Sequence, residues 1–263
     1  MYVNLFVFVF MIGACLSQGR AQTKSAVSYK NPVVDIAMPD PTVIKAADGY
    51  FYVYATESTR NVPIMKSKDL VEWTYCNTAF TNKTRPRFEP KAGIWAPDIN
   101  YINGKYVLYY AMSVWGGEQT CGIGVATANS PQGPFTDHGK MFRSNEIGVQ
   151  NSIDPSLLQY EGRNYLVWGS FRGIYVIELT ADGLSIMSGA KKKRIAGTAF
   201  EAVYIHKHGD YYYMFASIGS CCQGVKSTYK VVVGRSKKVW GPYKDKTGKP
   251  MLKKWLFFGD RCE

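Results

Sequence analysis

Two Asp-Pro dipeptides, Asp40-Pro41 and Asp154-Pro155, and the dipeptide Glu201-Ala202 each open a short run of strand formers: DPTVI, DPSLL and EAVYI. A single Asp-Pro is ordinary turn chemistry, because Asp bonds its own backbone and Pro presets φ. Three acids recurring in one register say more. Like charges in a partly desolvated pocket raise one another's pKa. A carboxylic acid held protonated beside a carboxylate held ionised suits glycosidic bond cleavage: one protonates the leaving oxygen, the other activates water or attacks the sugar. A third carboxylate tunes the acid.

The elements that would position these acids follow from an internal repeat. A glycine after a polar residue, followed by an aromatic alternating strand, occurs four times, as DGYFYVYAT at Asp48, NGKYVLYYA at Asn103, EGRNYLVWGS at Glu161 and HGDYYYMFAS at His208. The glycines, Gly49, Gly104, Gly162 and Gly209, lie 47 to 58 residues apart. Counting back eight or nine residues from each reaches Asp40, Ala96, Asp154 and Glu201, each at the start of a short strand. Second hairpins follow, with turn signals at Ser67 to Asp69, Pro131 to Pro134 and Gly241-Pro242. Sheets at this period predict an all-β propeller with about four blades present. In that fold the first strand of each blade lines the central channel, so Asp40, Asp154 and Glu201 are expected to converge.

Composition agrees with a mostly β globular chain: 19 Tyr, 13 Phe and 6 Trp with 25 Gly and 12 Pro supply strand formers and turns. The net charge of +12 invites a nucleic-acid partner. The one dense basic run, Lys191 to Arg194, follows a turn at Asp182-Gly183 and lacks a helical stripe, zinc spacing or RNA-binding aromatic motif, so it reads as a solvated loop.

Residues 5–17 form an apolar run too short for a membrane span, with small residues at Gly19 and Ala21, which predicts a signal peptide over residues 1–21. The alternative is a lipobox, Ile12-Gly13-Ala14-Cys15, with lipidation at Cys15. No transmembrane span follows, which implies a secreted or periplasmic protein. Five cysteines then remain, Cys76, Cys121, Cys221, Cys222 and Cys262, an odd number that forbids complete internal pairing. The adjacent Cys221-Cys222 lacks zinc-hairpin spacing and is either a vicinal disulfide or two thiols. His206 and His208 read as an exposed turn, not a metal hairpin.

PDPTV with Asp40, IWAPDI at Ile94, NSIDPSLL with Asp154 and FEAVYIHKHGDYYYMFAS with Glu201 resemble glycoside hydrolase family 43, five-bladed propellers that invert at the anomeric carbon. SIGSCCQGVKSTYKVVVGRS at Ser217 resembles its arabinan endo-1,5-α-L-arabinosidase branch. The resemblance implies Asp40 as general base, Glu201 as general acid and Asp154 as the residue that orients the acid and raises its pKa. It also places Asn151, Ser152, Ser170, Phe171 and Gly116 along the sugar subsites, and the faces of Trp95 and Trp115 are expected to be sugar platforms. No cofactor is required. The structural calcium of relatives lies near a fifth-blade His that has no counterpart here. The implied partner is a plant cell-wall polysaccharide, arabinan or arabinose-containing pectin side chains.

The family pattern runs from about Asn31 to Lys246, making residues 22–246 the propeller domain, and residues 247–263 (TGKPMLKKWLFFGDRCE) fit neither family nor repeat. This reads as a truncated final blade: little order after Lys246, an exposed apolar sheet face, and weak stability or self-association through the open edge. Three other activities stay open: β-xylosidase action, exo-α-L-arabinofuranosidase action, and non-catalytic carbohydrate binding. The retaining fructan-hydrolase propellers are set aside because Ile153, not Arg, precedes Asp154.

Overall fold

Each glycine repeat builds one antiparallel sheet. The computed structural model describes residues 28–252, and from Asn31 onward they belong to one compact unit. The first sheet holds β1 (Thr42–Lys45), β2 (Phe51–Tyr54), β3 (Pro63–Ser67) and β4 (Thr74–Thr78). The second holds β5 (Gly93–Ile102), β6 (Lys105–Ser113), β7 (Gly122–Ala128) and β8 (Thr136–Arg143). The third holds β9 (Ser156–Tyr160), β10 (Arg163–Trp168), β11 (Ile174–Glu178) and β12 (Lys193–Ala196). The fourth holds β13 (Glu201–His208), β14 (Tyr211–Ile218) and β15 (Lys230–Ser236), and is extended by bridges from Arg235 to Lys244 and from Lys244 to Pro250. Strand order follows chain order in every sheet, which is the all-β, four-blade propeller arrangement that the repeat predicts.

The repeat glycines sit in the first hairpin of each sheet. Ile102 pairs with Lys105 and Tyr160 with Arg163, leaving two-residue turns whose residues all take positive φ: Asn103 (47°), Gly104 (82°), Glu161 (49°) and Gly162 (72°). That is the backbone a tight twisted hairpin demands.

Alternation then divides the core. Along β6, Leu108, Tyr110 and Met112 join the apolar cluster shared with the first sheet, while Val107 and Tyr109 join the one shared with the third. Both faces are covered, so β6 reads as a nearly continuous apolar run. The innermost strands are tied by polar bonds. Asp98 on β5 accepts Leu157 N–H of β9 (2.7 Å), the Asn100 amide (2.7 Å) and Thr42 Oγ1 of β1 (3.4 Å), and Ser156 Oγ donates to Val203 O of β13 (2.6 Å). Burial lifts the Asp98 carboxyl to about 6, with those donors opposing the rise.

Past Lys246 the structure corrects the expectation of little order as far as Leu252. Asp245 Oδ1 accepts the N–H groups of Thr247 and Lys249, both at 2.9 Å, and Gly197 N–H donates to Met251 O at 2.8 Å. Met251 is buried in the core between the third and fourth sheets. One apolar anchor behind a polar turn leaves no strand periodicity to read. Residues 253–263, with Cys262, and the export segment with Cys15 and Ala21 lie outside the described residues. Among the described residues no helix is long and apolar enough to cross a membrane. An exposed apolar row of cross-strand partners, Tyr204, Phe215 and Val233, marks one face of the fourth sheet.

Candidate active site

Each inner strand carries a left-handed residue at or near its N-terminal end: Asp40 (φ 50°), Ala96 (42°), Asp154 (57°) and Ala202 (50°). In the fourth sheet this residue is Ala202, so the counting that puts Glu201 in register with Asp40 and Asp154 is off by one. The true counterpart of Glu201 is Trp95. Glu201 pairs with Ser217 and Tyr204 with Phe215, as Trp95 pairs with Ala111 and Asp98 with Tyr109, each with a bulge between.

The three acids nevertheless meet. The Asp154 carboxyl is pushed well above the usual range, first by burial and then by the charges of Glu201 and Asp40, while a hydrogen bond from Ala202 N–H (3.2 Å) partly offsets this. Their settings differ. Asp40 is exposed and accepts Thr56 Oγ1 at 2.6 Å; Thr56 Oγ1 in turn accepts Ala96 N–H at 2.7 Å, linking the first two sheets. Glu201 is only 8% exposed, and its Oε2 accepts Ser170 Oγ at 2.6 Å. Asn151 Nδ2 donates to Ser170 Oγ at 2.9 Å, so a relay runs from Asn151 through Ser170 to Glu201. The Tyr229 hydroxyl lies near Glu201 and Ser217, and burial holds it neutral.

Trp95 and Trp115 stand with ring centroids 5.7 Å apart, tilted by 52°. Trp115 is 77% exposed, so its indole faces solvent instead of filling a blade, and Gly116 beside it is exposed. A side chain at Gly93 would collide with the Trp95 indole, so the glycine makes room for that ring. Phe171 is half-buried, with φ 49° and its N–H donated to Phe200 O at 2.9 Å. Two of the expected sugar contacts, Ser152 and Ser170, are buried. Ser152 is 0% exposed; its hydroxyl donates to Val149 O (2.7 Å) and accepts Trp168 Nε1 (3.0 Å), so it serves the core. Ser170 is buried and acts on Glu201.

Sequence reasoning missed Thr56 and Tyr229. For Thr56 a signal existed, since a hydroxyl closes the aromatic strand in three repeats, at Thr56, Ser170 and Ser217. Tyr229 lies after an irregular loop and carries no periodic mark. Among the described residues no group of three His, Cys, Asp or Glu is placed to hold a metal ion.

The profile of Glycosyl hydrolases family 43 matches residues 29–261. The chain belongs to this family. It is 39% identical over 226 residues to the extracellular endo-alpha-(1->5)-L-arabinanase 1 of Bacillus subtilis, covering 81% of this chain and 69% of that protein. It is 37% identical to the extracellular exo-alpha-(1->5)-L-arabinofuranosidase ArbA of Cellvibrio japonicus, covering 81% and 67%. The structure of Cellvibrio cellulosa alpha-L-arabinanase complexed with arabinohexaose superposes with a TM-score of 0.75 at 33% identity, covering 83% of this chain and 76% of that one.

Proposed function

We propose that this family 43 protein hydrolyses α-1,5-linked L-arabinofuranosyl bonds of arabinan, outside the cytoplasm and with inversion. The observation that carries the reading is Asp154, a carboxyl whose proton affinity is raised first by burial and then by the charges of Glu201 and Asp40, in a fold shared with arabinan-acting relatives. Asp40, exposed and oriented by Thr56, is the general base that takes a proton from the attacking water. Glu201, enclosed and held by Ser170 with Tyr229 nearby, gives its proton to the leaving oxygen. Asp154 lies in the field of both, and burial together with their charges favours its protonated form. Inversion requires room for the water, so the Asp40 and Glu201 carboxyls belong roughly 6.5–9.5 Å apart. Trp95 and Trp115 offer apolar faces to the C–H surface of the furanose ring.

The test incubates the protein with linear arabinan and with xylan, beside Glu201→Gln. Arabino-oligosaccharide release that falls about 10²–10⁴-fold in the variant supports the reading. Release from xylan alone replaces the substrate, and retention on arabinan without cleavage replaces the enzyme with a binding propeller. Proton NMR of the first product reads the anomer and hence inversion. Relatives of endo and exo type match almost equally, so the product ladder decides the mode.

A further inference from the structure

The loop from β14 to β15 has both ends on Glu201. Ser217, near the end of β14, is the register partner of Glu201, and the Tyr229 hydroxyl, just before β15, lies near Glu201. Between them the loop closes on itself: Thr228 N–H donates to Ser220 O and Ser220 N–H to Thr228 Oγ1, both at 3.1 Å. Gly219 (φ 89°) lies so close to Thr228 O that a side chain there would collide with it. Gln223 N–H donates to Ser227 Oγ and its side chain to Ser220 Oγ, both at 3.0 Å.

Inside this loop lie Cys221 and Cys222, adjacent free thiols. Cys221 is half-buried and Cys222 exposed, with φ 65° in the left-handed region that only an over-determined non-glycine residue occupies. Burial, then Cys222, then the charges of Glu201 and Asp40 push the Cys221 thiol up to about 12, which keeps it protonated. Cys121 is buried and hydrogen-bonded to Ser144 Oγ at 3.2 Å, and Cys76 lies on β4 of the first sheet.

We propose that Cys221 and Cys222 are a redox-modifiable pair of the active site, whose disulfide locks the loop that brings Tyr229 to Glu201 and whose reduction slows arabinan hydrolysis. This rests on the hydrolase reading given above. The oxidant is a small-molecule disulfide such as glutathione disulfide. The Cys222 thiolate attacks one of its sulfurs and expels a thiolate; Cys221, giving up its proton, then attacks the Cys222 sulfur and expels the second. One S–S bond forms in the protein and one breaks in the oxidant, and the two protons end on two small thiols. Adjacent Cα atoms lie about 3.8 Å apart, below the roughly 4.4–6.8 Å usual for disulfides, so the ring is strained and its reduction easy. That strain makes it a reversible element instead of a permanent staple.

The test equilibrates the full protein in glutathione buffers of graded ratio, quenches with acid, alkylates and maps the tryptic peptide His208–Lys226. The expected result is an unalkylated peptide two hydrogens lighter than the dithiol form at the oxidising end. Across the same series, kcat/KM on linear arabinan falls at least about threefold on reduction, with one midpoint for both readouts and an unchanged far-UV spectrum. The variant Cys221→Ala/Cys222→Ala is expected to show the reduced rate and no response. Two alkylated thiols at every ratio, or a paired form with the same kcat/KM as the dithiol, overturns the proposal. Absence of cleavage in both redox states, with the disulfide formed, overturns the hydrolase reading, and the peptide map shows which of the two has failed.

Discussion

Trp95 and Glu201 occupy the same bulge position in two different sheets, one carrying an indole and the other a carboxyl. The repeat therefore supplies two kinds of site position. The left-handed residue is acidic at Asp40 and Asp154, and the residue before it carries an indole at Trp95 and a carboxyl at Glu201. A single backbone device, used four times, thus presents both carboxyls and an aromatic ring on the inner strands.

Trp115→Ala is expected to raise KM for arabino-oligosaccharides several-fold with kcat little changed. The ring is exposed, so truncation takes nothing from the core and the stability change stays within about 0.5 kcal/mol. Trp95→Ala removes a half-buried ring and is expected to cost both affinity and stability. Steady-state kinetics with thermal melts separates the two, and an unchanged KM in both variants would remove the aromatic wall from the argument.

Ser170→Ala leaves Glu201 enclosed but without its 2.6 Å hydroxyl donor. A hydrogen bond to a charged group is worth about 1.5–3 kcal/mol, so kcat is expected to fall about 10–100-fold while KM holds. Ser170→Thr, which keeps the hydroxyl, should restore most of the rate. A fall of equal size in both variants would mean that the position matters for packing instead.

The sheets were legible because each is a local hairpin series, with its glycine turn, alternation and aromatic run all contained in about fifty contiguous residues. Asp40 and Asp154 were legible for the same reason. The one-residue error at Glu201 arose because a bulge inserts a residue without leaving a compositional mark, and only strand pairing reveals it. Ser152 and Ser170 could not be told apart in sequence. Two serines near one Asp look alike until Trp168 and Glu201 arrive from other parts of the chain. Tyr229 and Met251 lie in irregular segments whose partners are tertiary.

Asp154→Asn is expected to abolish hydrolysis and raise the melting temperature at neutral pH. The folded-state pKa of Asp154 lies above its unfolded value of about 3.9, so the folded protein binds the extra proton. Its stabilising effect is complete below about pH 4 and is lost as pH rises toward the folded value. The variant's advantage should therefore appear at pH 7 and vanish near pH 4, at about 2–4 °C per kcal/mol. A lower melting temperature at pH 7, with no difference near pH 4, would show that the ionised carboxylate's bond to Ala202 outweighs the cost of burial and charge repulsion.

Asp98 gives the corresponding effect away from the chemistry, and its window is set by a value near 6. The sign is the same, since burial raises the folded pKa above the unfolded value of about 3.9, and stability is lost between about pH 4 and pH 6. Two units correspond to about 2–3 kcal/mol. Asparagine can keep the geometry: its oxygen accepts Leu157 N–H and the Asn100 amide, and its NH₂ turns toward Thr42 Oγ1. Asp98→Asn is thus expected to melt higher than wild type above pH 6, to match it near pH 4, and to keep its activity on arabinan. Melts from pH 4 to pH 8 give the answer. A variant less stable above pH 6 and equal to wild type near pH 4 would mean that the negative charge at the junction of β1, β5 and β9 is itself needed to hold the inner strands together.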